Sequence, residues 1–124
     1  MIQRLVRFKV EEKYPSLNQW YSGRHWGSRS SMKKRWLNLF KGMIAVADID
    51  EIASFEIVLQ FNTGYDVDNN IPIVKVFSDA LVESGVVAND NRKFWKDLSI
   101  HYDDTLPKNT AIINLYYKPI ITDL

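Results

Sequence analysis

Two aspartates and two asparagines stand together in the middle of the chain, in the segment Asp66-Val67-Asp68-Asn69-Asn70. This segment follows a strand-like stretch and precedes a helix-like one, the position where side chains at the carboxyl edge of a sheet converge on a ligand. Carboxylates two residues apart in an extended segment point to the same side and can share a cation. The spacing therefore indicates a divalent-cation site that includes Asp66 and Asp68.

The same residues also match the start of an EF-hand calcium loop, which opens with the pattern D-x-D-x-N. The later positions do not fit. Ile71 stands where the loop needs glycine, and Phe77 stands where it needs the bidentate glutamate. The sequence therefore argues against an EF-hand at this position.

Charged residues that could extend this site follow the acidic segment. Asp68, Lys75 and Asp79 are separated by seven and four residues, so in one continuous helix they would line a single face. An ordinary exposed ion pair between Lys75 and Asp79 explains their spacing equally well, and spacing alone favours it. Asp90 lies in a turn rich in glycine and asparagine, free to swing back toward Asp66 and Asp68, although aspartate is also a common turn residue.

Aromatic and basic side chains alternate in residues 20–26, and more basic residues follow. This composition suits contact with phosphates and unstacked bases at a branched nucleic acid. The candidate DNA contacts are Arg24, His25, Arg29, Lys33, Lys34 and Arg35. Tryptophans in this region can instead pack on the core, which is the better interpretation for Trp36, and a metal-ligand role for His25 stays open.

Composition limits the class of protein. The chain has 124 residues, of which 46% are hydrophobic, and this favours one globular domain over residues 1–124. It has no cysteine, which excludes disulfides, thiol catalysis and zinc sites with thiolate ligands. The apolar runs are too short to span a bilayer, and Arg4, Arg7 and Lys9 interrupt any signal-peptide core. We therefore expect a cytoplasmic protein without a membrane segment.

The net charge of +1 hides a strong asymmetry along the chain. Residues 1–47 contain ten lysines and arginines but two acidic residues, whereas residues 48–124 contain six basic and thirteen acidic residues. A nucleic-acid enzyme needs both a phosphate-binding surface and carboxylates for metal ions, so this distribution suits one. The same distribution of charges would also arise if these residues simply covered solvated helix faces.

Hydrophobic periodicity predicts the secondary structure. Period-two alternation predicts four strands, over residues 2–10, 55–61, 95–102 and 110–118. Helical spacing predicts one helix from about Ser31, capped by Ser30 or Ser31, and a second with Pro72 in its first turn that ends at Gly85. Residues 11–29 are predicted to form a long loop.

The order β-α-β-α-β-β predicts an α+β (α/β-like) fold, with one mixed four-stranded sheet and two helices. The loop and first helix provide enough chain for a crossover, so the first two strands are expected to form a parallel βαβ unit. The last two strands are expected to form a hairpin.

The combined pattern of short motifs resembles the RusA family of Holliday junction resolvases. The motifs are Asp66-x-Asp68-Asn69, Lys75-x-x-x-Asp79-Ala80-Leu81, and Gly85-Val86-Val87 followed by Asp90. The segment Pro15-Ser16-Leu17-Asn18-Gln19-Trp20-Tyr21, followed by Arg24-His25, resembles the family's P-S-x-N-x-x-Y loop after the first strand. The resemblance covers nearly the whole chain, and its specificity comes from the order and spacing of the motifs together.

The resemblance implies a Mg²⁺-dependent endonuclease that acts on four-way DNA junctions as a homodimer. It implies that Asp66, Asp68 and Asp90 are the metal-binding catalytic carboxylates and that Lys75 is the catalytic or phosphate-contacting lysine. Asp79 matches a further acidic position. A symmetric dimer also suits a reaction that makes two matched cuts on opposed strands.

One departure from the family pattern affects Lys75. In the family the lysine follows the Asp-Asn pair by about three residues, whereas here Asn70-Ile71-Pro72 adds three more. Such a shift would turn a continuous helix by most of a revolution. We expect the insertion to be absorbed before Pro72, so that Lys75 and Asp79 keep their mutual spacing; otherwise Lys75 loses its role.

Three functions remain after these observations. The first is a Mg²⁺-dependent, structure-specific DNA endonuclease that resolves Holliday junctions by phosphodiester hydrolysis. The second is a non-catalytic protein that binds branched DNA, with a structural or vestigial metal site. The third is a protein-interaction domain whose charge asymmetry pairs it with a partner.

Overall fold

The computed structural model describes residues 3–21 and 26–121. Its elements, in chain order, are β1 (Arg4–Val10), α1 (Leu17–Tyr21), α2 (Trp26–Ala47), β2 (Ile52–Asn62), a 3₁₀ segment (Val67–Asn70), α3 (Ile71–Glu83), β3 (Trp95–Tyr102) and β4 (Thr110–Pro119). Within the described residues this is an α+β fold with one mixed four-stranded sheet, as predicted. The described helices number three rather than two, because the short α1 precedes the two long ones.

The strands are arranged in the order β1-β4-β2-β3. β4 is antiparallel to both β1 and β2, whereas β2 and β3 are parallel. The predicted β3–β4 hairpin is therefore wrong. β1 and β2 do run in the same direction, but β4 lies between them, so they do not form a simple βαβ unit.

Burial explains the position of β4. Ala111, Ile113 and Leu115 point into the core, and Thr110 and Asn114 on the opposite face are also buried. β3, by contrast, is mostly exposed or half-buried. A strand buried on both faces must lie inside the sheet, and a polar strand can occupy its edge. The burial of β4, and not its closeness to β3 in sequence, therefore determines its place in the sheet.

The helices cover one face of the sheet. Trp36, Phe40 and Ile44 of α2 are buried, which confirms the core interpretation of Trp36. The ring of Phe77 on α3 lies 5.4 Å from that of Phe40 and 5.0 Å from that of Phe8 on β1. These aromatic contacts fix the two long helices against each other and against the sheet.

The first helical region differs from the prediction. Residues 17–21 form α1, and α2 already begins at Trp26, so Ser30 and Ser31 lie inside a helix and do not cap it. Glycine and serine have low helix propensity, which is why the sequence predicts a loop over these residues.

The second long helix matches the prediction. Pro72 lies in the first turn of α3, where its missing N–H needs no partner. Gly85 follows the helix with φ of +77°, in the left-handed region that favours glycine. None of the described helices is long and apolar enough to cross a membrane.

Candidate active site

Asn70 anchors the acidic segment from inside the protein. Its side chain is fully buried, and its Oδ1 accepts a 2.5 Å hydrogen bond from the hydroxyl of Tyr14. Its Nδ2 donates to the backbone oxygens of Asp66, at 3.0 Å, and Val67, at 3.2 Å. The buried amide thus fixes the backbone between the two aspartates, and the residues Asp66 and Asp68 themselves are exposed.

The segment after β1 supports this anchor. The backbone N–H of Gln19 donates to Ser16 Oγ at 3.2 Å, and the Ser16 N–H donates to Gln19 Oε1 at 2.9 Å. This reciprocal capping box starts α1. The Tyr65 hydroxyl, next to the acidic segment, donates to the backbone oxygen of Tyr14 at 2.6 Å. The two motifs of the sequence, Pro15–Tyr21 and Asp66–Asn70, are therefore connected through Tyr14.

The chain changes from a 3₁₀ segment to an α-helix just before Lys75. The 3₁₀ segment ends at Asn70, and the α-helix begins at Ile71. Lys75 and Asp79 keep their helical spacing, and Lys75 Nζ lies 3.1 Å from Asp79 Oδ1. That Asn70-Ile71-Pro72 is an insertion relative to the family pattern stays a prediction.

Lys75 is the centre of a cluster that joins α3 to the following turn and to α2. Its Nζ lies 2.6 Å from Asp90 Oδ2, and the Ser78 hydroxyl lies 2.9 Å from the same oxygen. On α2, Lys33 Nζ lies 3.5 Å from Asp79 Oδ2. We call Lys33, Lys75, Ser78, Asp79 and Asp90 the lysine–aspartate cluster.

The charges in this cluster stabilise one another. Partial burial acts to raise the pKa of Asp90, but hydrogen bonds from Lys75 and Ser78 outweigh it and lower that pKa below its ordinary value. Burial acts to lower the pKa of Lys75, but hydrogen bonds to Asp90 and Asp79 outweigh it, and the pKa is raised. Lys75 is thus a stable cation and Asp90 a stable carboxylate at neutral pH.

The aspartates predicted to hold a metal do not all come together. Among the residues that the structure describes, no group of three or more acidic or histidine side chains is placed to hold one ion. Asp90 lies with Lys75 and Ser78. The chemistry of the three carboxylates nevertheless fits Mg²⁺, which prefers hard oxygen ligands and retains several waters.

The predicted DNA contacts have different surroundings. Arg24 and His25 lie outside the described residues, and Arg29 belongs to α2. Lys33, Lys34 and Arg35 are exposed, but successive helix positions point about 100° apart, so they do not form one flat patch.

Two of these exposed residues already have partners. Lys33 pairs with Asp79, and Arg35 pairs with Glu12. Lys34 forms no ion pair with any residue of the described ranges.

The sequence did not indicate the roles of Ser78 and Asn70. Ser78 is a fully buried serine on the apolar face of α3, three residues after Lys75. A polar residue at an apolar helix position signals a hydrogen-bond partner nearby. The burial of Asn70 shows that it is a structural anchor.

Comparisons with protein-family models and with curated proteins give no match. Among solved structures, the chain is similar to the crystal structure of the hydrogenase maturation protein HypE, with a TM-score of 0.42 and 12% identity over 98% of this chain. The chain spans 32% of that protein. A likeness this weak has no bearing on function.

Proposed function

We propose that this chain is a Mg²⁺-dependent, structure-specific DNA endonuclease that resolves Holliday junctions by phosphodiester hydrolysis. The main support is the 2.6 Å ion pair between Lys75 and Asp90. It joins two motifs of the RusA-like pattern that are fifteen residues apart in sequence. A partly buried aspartate paired with a lysine and a serine is the kind of arrangement found at functional sites.

In this proposal the carboxylates of Asp66, Asp68 and Asp90 would converge on Mg²⁺ when it binds, since they are not assembled around one ion in the described structure. When bound, Mg²⁺ lowers the pKa of a water and stabilises charge on the scissile phosphate. Lys75 provides a permanent positive charge for the phosphate oxygens, which gain charge in the transition state. Asn70 keeps the acidic segment in position through its hydrogen bonds to Asp66 and Val67.

The substrate follows from the resemblance and from the basic residues of the N-terminal half. Arg24, His25, Arg29, Lys33, Lys34 and Arg35 are the proposed contacts to DNA phosphates and bases. We propose a homodimer, because resolution of a four-way junction requires two matched cuts on opposed strands. We place this activity in the cytoplasm.

Replacement of a metal-binding carboxylate tests the proposal. Asp66→Asn, Asp68→Asn and Asp90→Asn should each lower cleavage of a four-way junction by at least about a hundredfold in Mg²⁺. Junction affinity in EDTA should change little, because it comes chiefly from basic residues. The measurements are single-turnover cleavage at saturating protein and a binding titration.

Asp104→Asn is the matched control, since Asp104 is exposed in the turn between β3 and β4, and this variant should cleave normally. Normal cleavage by the Asp68→Asn protein would refute the metal assignment. A wild-type protein that binds junctions but cleaves none with Mg²⁺ or Mn²⁺ would favour the alternative, a non-catalytic branched-DNA-binding protein.

A further inference from the structure

The outer edge of β1 has no strand beside it among the residues that the structure describes. The sheet order is β1-β4-β2-β3, and β1 pairs with β4 over residues 4–10. This pairing uses one edge of β1, so the backbone N–H and C=O groups along its other edge have no strand partner in the described chain. Such an edge can accept an extended segment of another protein as an added strand.

An apolar groove lies on the helix side of this free edge, between β1 and α2. Its volume is about 670 Å³, and its lining includes Phe8 of β1 and Leu39, Gly42, Met43 and Val46 on one face of α2. Val46 is 88% exposed and Leu39 is 41% exposed, although both are apolar. A Cβ atom placed on Gly42 would meet no neighbouring group within 4 Å, so the space above this glycine is open. An apolar face beside a free strand edge is typical of a surface that a partner covers.

The other face of β1 is basic at the same place. Side chains alternate along a strand, so Phe8 is buried in the core while Arg7 and Lys9 are exposed on the opposite face. Arg7 Nε donates to Asn114 Oδ1 at 3.1 Å, and none of the ion pairs between described residues includes Arg7. Lys9 Nζ lies 3.0 Å from an oxygen of the exposed Glu11. A strand added beside β1 would therefore have basic neighbours on one face and apolar neighbours on the other.

A second copy of this chain fits the edge less well than a partner of opposite charge. β1 contains Arg4, Arg7 and Lys9 and no acidic residue. Two such strands paired about a two-fold axis would bring six basic side chains to one seam, and like charges on neighbouring strands destabilise their pairing. The residues that line the groove likewise include no acidic residue. The charges therefore favour an acidic segment.

We propose that the free edge of β1 and the adjoining groove form a docking site for an extended segment of a partner protein in which aliphatic and acidic residues alternate. The aliphatic side chains pack against Leu39, Met43 and Val46, and the carboxylates lie beside Arg7 and Lys9. Backbone hydrogen bonds to β1 provide affinity, and the alternation provides specificity. The site uses the edge of the sheet opposite β3, and this inference does not depend on the proposed nuclease activity.

A synthetic peptide tests the docking site directly. The probe is a fluorescein-labelled peptide of seven residues, the length of β1, in which glutamate and valine alternate. Fluorescence anisotropy should show saturable binding to the wild-type protein, and amide hydrogen exchange in residues 4–10 should slow when the peptide binds. A peptide of the same composition, with its valines in one block and its glutamates in another, should bind at least about tenfold more weakly, because it cannot present one residue type to each face.

Gly42→Leu blocks the groove without disturbing the fold. Leucine fills the open space above this position and has a higher helix propensity than glycine, so α2 stays intact. The variant should bind the alternating peptide at least about tenfold more weakly. Gly64→Leu is the matched control, since a Cβ there also meets nothing within 4 Å and Gly64 lies outside the groove. Its affinity for the peptide should equal that of wild type.

A double-mutant cycle tests the charge contacts. The double variant Arg7→Gln and Lys9→Gln should bind the alternating peptide several-fold more weakly. A peptide with glutamine in place of glutamate should bind the wild type with a similar loss, and the two losses should not add, because both remove the same contacts. Additive losses would mean that the charges act only over long range and would contradict the proposed register.

The remaining outcomes overturn the proposal. They are equal binding of the alternating and block peptides, binding that leaves exchange in residues 4–10 unchanged, and absence of saturable binding to the wild type. A wild-type dimer that Gly42→Leu converts to a monomer in analytical ultracentrifugation would show that a second copy covers this face, and would likewise overturn it.

Discussion

At the scale of single residues, a buried hydrogen bond lies beneath the acidic segment of the candidate site. The fully buried Asn70 receives its hydrogen bond from Tyr14, and burial raises the pKa of the Tyr14 hydroxyl well above its ordinary value of 10.0. The Tyr14 hydroxyl therefore stays protonated at neutral pH and acts as a hydrogen-bond donor. The position of the acidic segment depends on this donor.

Tyr14→Phe should lower the free energy of unfolding by about 1–3 kcal/mol, because it leaves the buried Asn70 oxygen without a donor. Tyr65→Phe, which removes a half-buried hydroxyl bonded to the Tyr14 backbone, should have a smaller effect, since water can replace it. Urea unfolding at pH 7 measures both. Equal losses in the two variants would argue against a special role for the Asn70 contact.

The difference in free energy of unfolding between wild type and Tyr14→Phe should depend on pH. The raised pKa of Tyr14 in the folded state means that the unfolded chain releases this proton first as pH rises. The stability advantage of wild type over Tyr14→Phe is therefore complete below pH 10.0 and narrows above it. Measuring the free energy of unfolding of both proteins between pH 7 and pH 11 tests whether the difference narrows.

The sequence predicted several residues of the candidate site, but it did not predict which of them pair. Asp90 and Lys75 stood out as charged residues in RusA-like motifs, but the path of the turn that brings them together depends on its backbone hydrogen bonds to β2, from Ile52 to Val86 and from Phe55 to Phe94. Ser78 and Asn70 were missed for a different reason. Serine and asparagine are common in exposed turns, and only the three-dimensional structure shows that these two are buried.

At the scale of secondary structure, the elements with strong apolar periodicity were predicted well. β2 and α3 begin and end close to their expected residues, because alternation and helix-terminating signals are local. The order of the strands was not predictable in this way. The position of β4 inside the sheet depends on burial of both its faces, a property of the assembled fold.

The start of α1 provides a test at this scale. Ser16→Ala should lower the free energy of unfolding by about 1 kcal/mol, since the Ser16 hydroxyl accepts the N–H of Gln19. Ser16→Thr keeps a capping hydroxyl and should lose less. Urea unfolding of the three proteins provides the comparison, and a threonine variant as unstable as alanine would indicate tight packing around Ser16 in place of capping.

At the scale of the whole molecule, the fold partly neutralises the charge asymmetry of the sequence. Within the described parts of the chain, basic residues of the N-terminal half pair with acidic residues of the other half in three ion pairs: Arg4–Asp50, Lys33–Asp79 and Lys41–Glu83. Exposed pairs of this kind add little stability, but they reduce the positive charge available to the proposed DNA substrate. The number of free cations therefore matters more than the net charge of either half.

If the protein binds junctions as proposed, the salt dependence of its affinity measures how many of these cations contact phosphates. Lys34→Gln should lower the slope of log affinity against log salt by about one, as expected for the loss of one phosphate contact. Arg35→Gln should lower it less, because Glu12 already neutralises the guanidinium. Lys108→Gln, an exposed residue in the turn before β4, is the charge-matched control and should leave the slope unchanged.

Titrations between about 50 and 200 mM salt resolve a difference of this size. A slope that falls equally in Lys34→Gln and Lys108→Gln would mean that the protein's overall charge, and not α2, attracts the DNA. An unchanged slope in Lys34→Gln would mean that α2 is a solvated surface. Either result would argue against Lys34 as a phosphate contact and would leave Arg24, His25 and Arg29 as the proposed DNA contacts to test next.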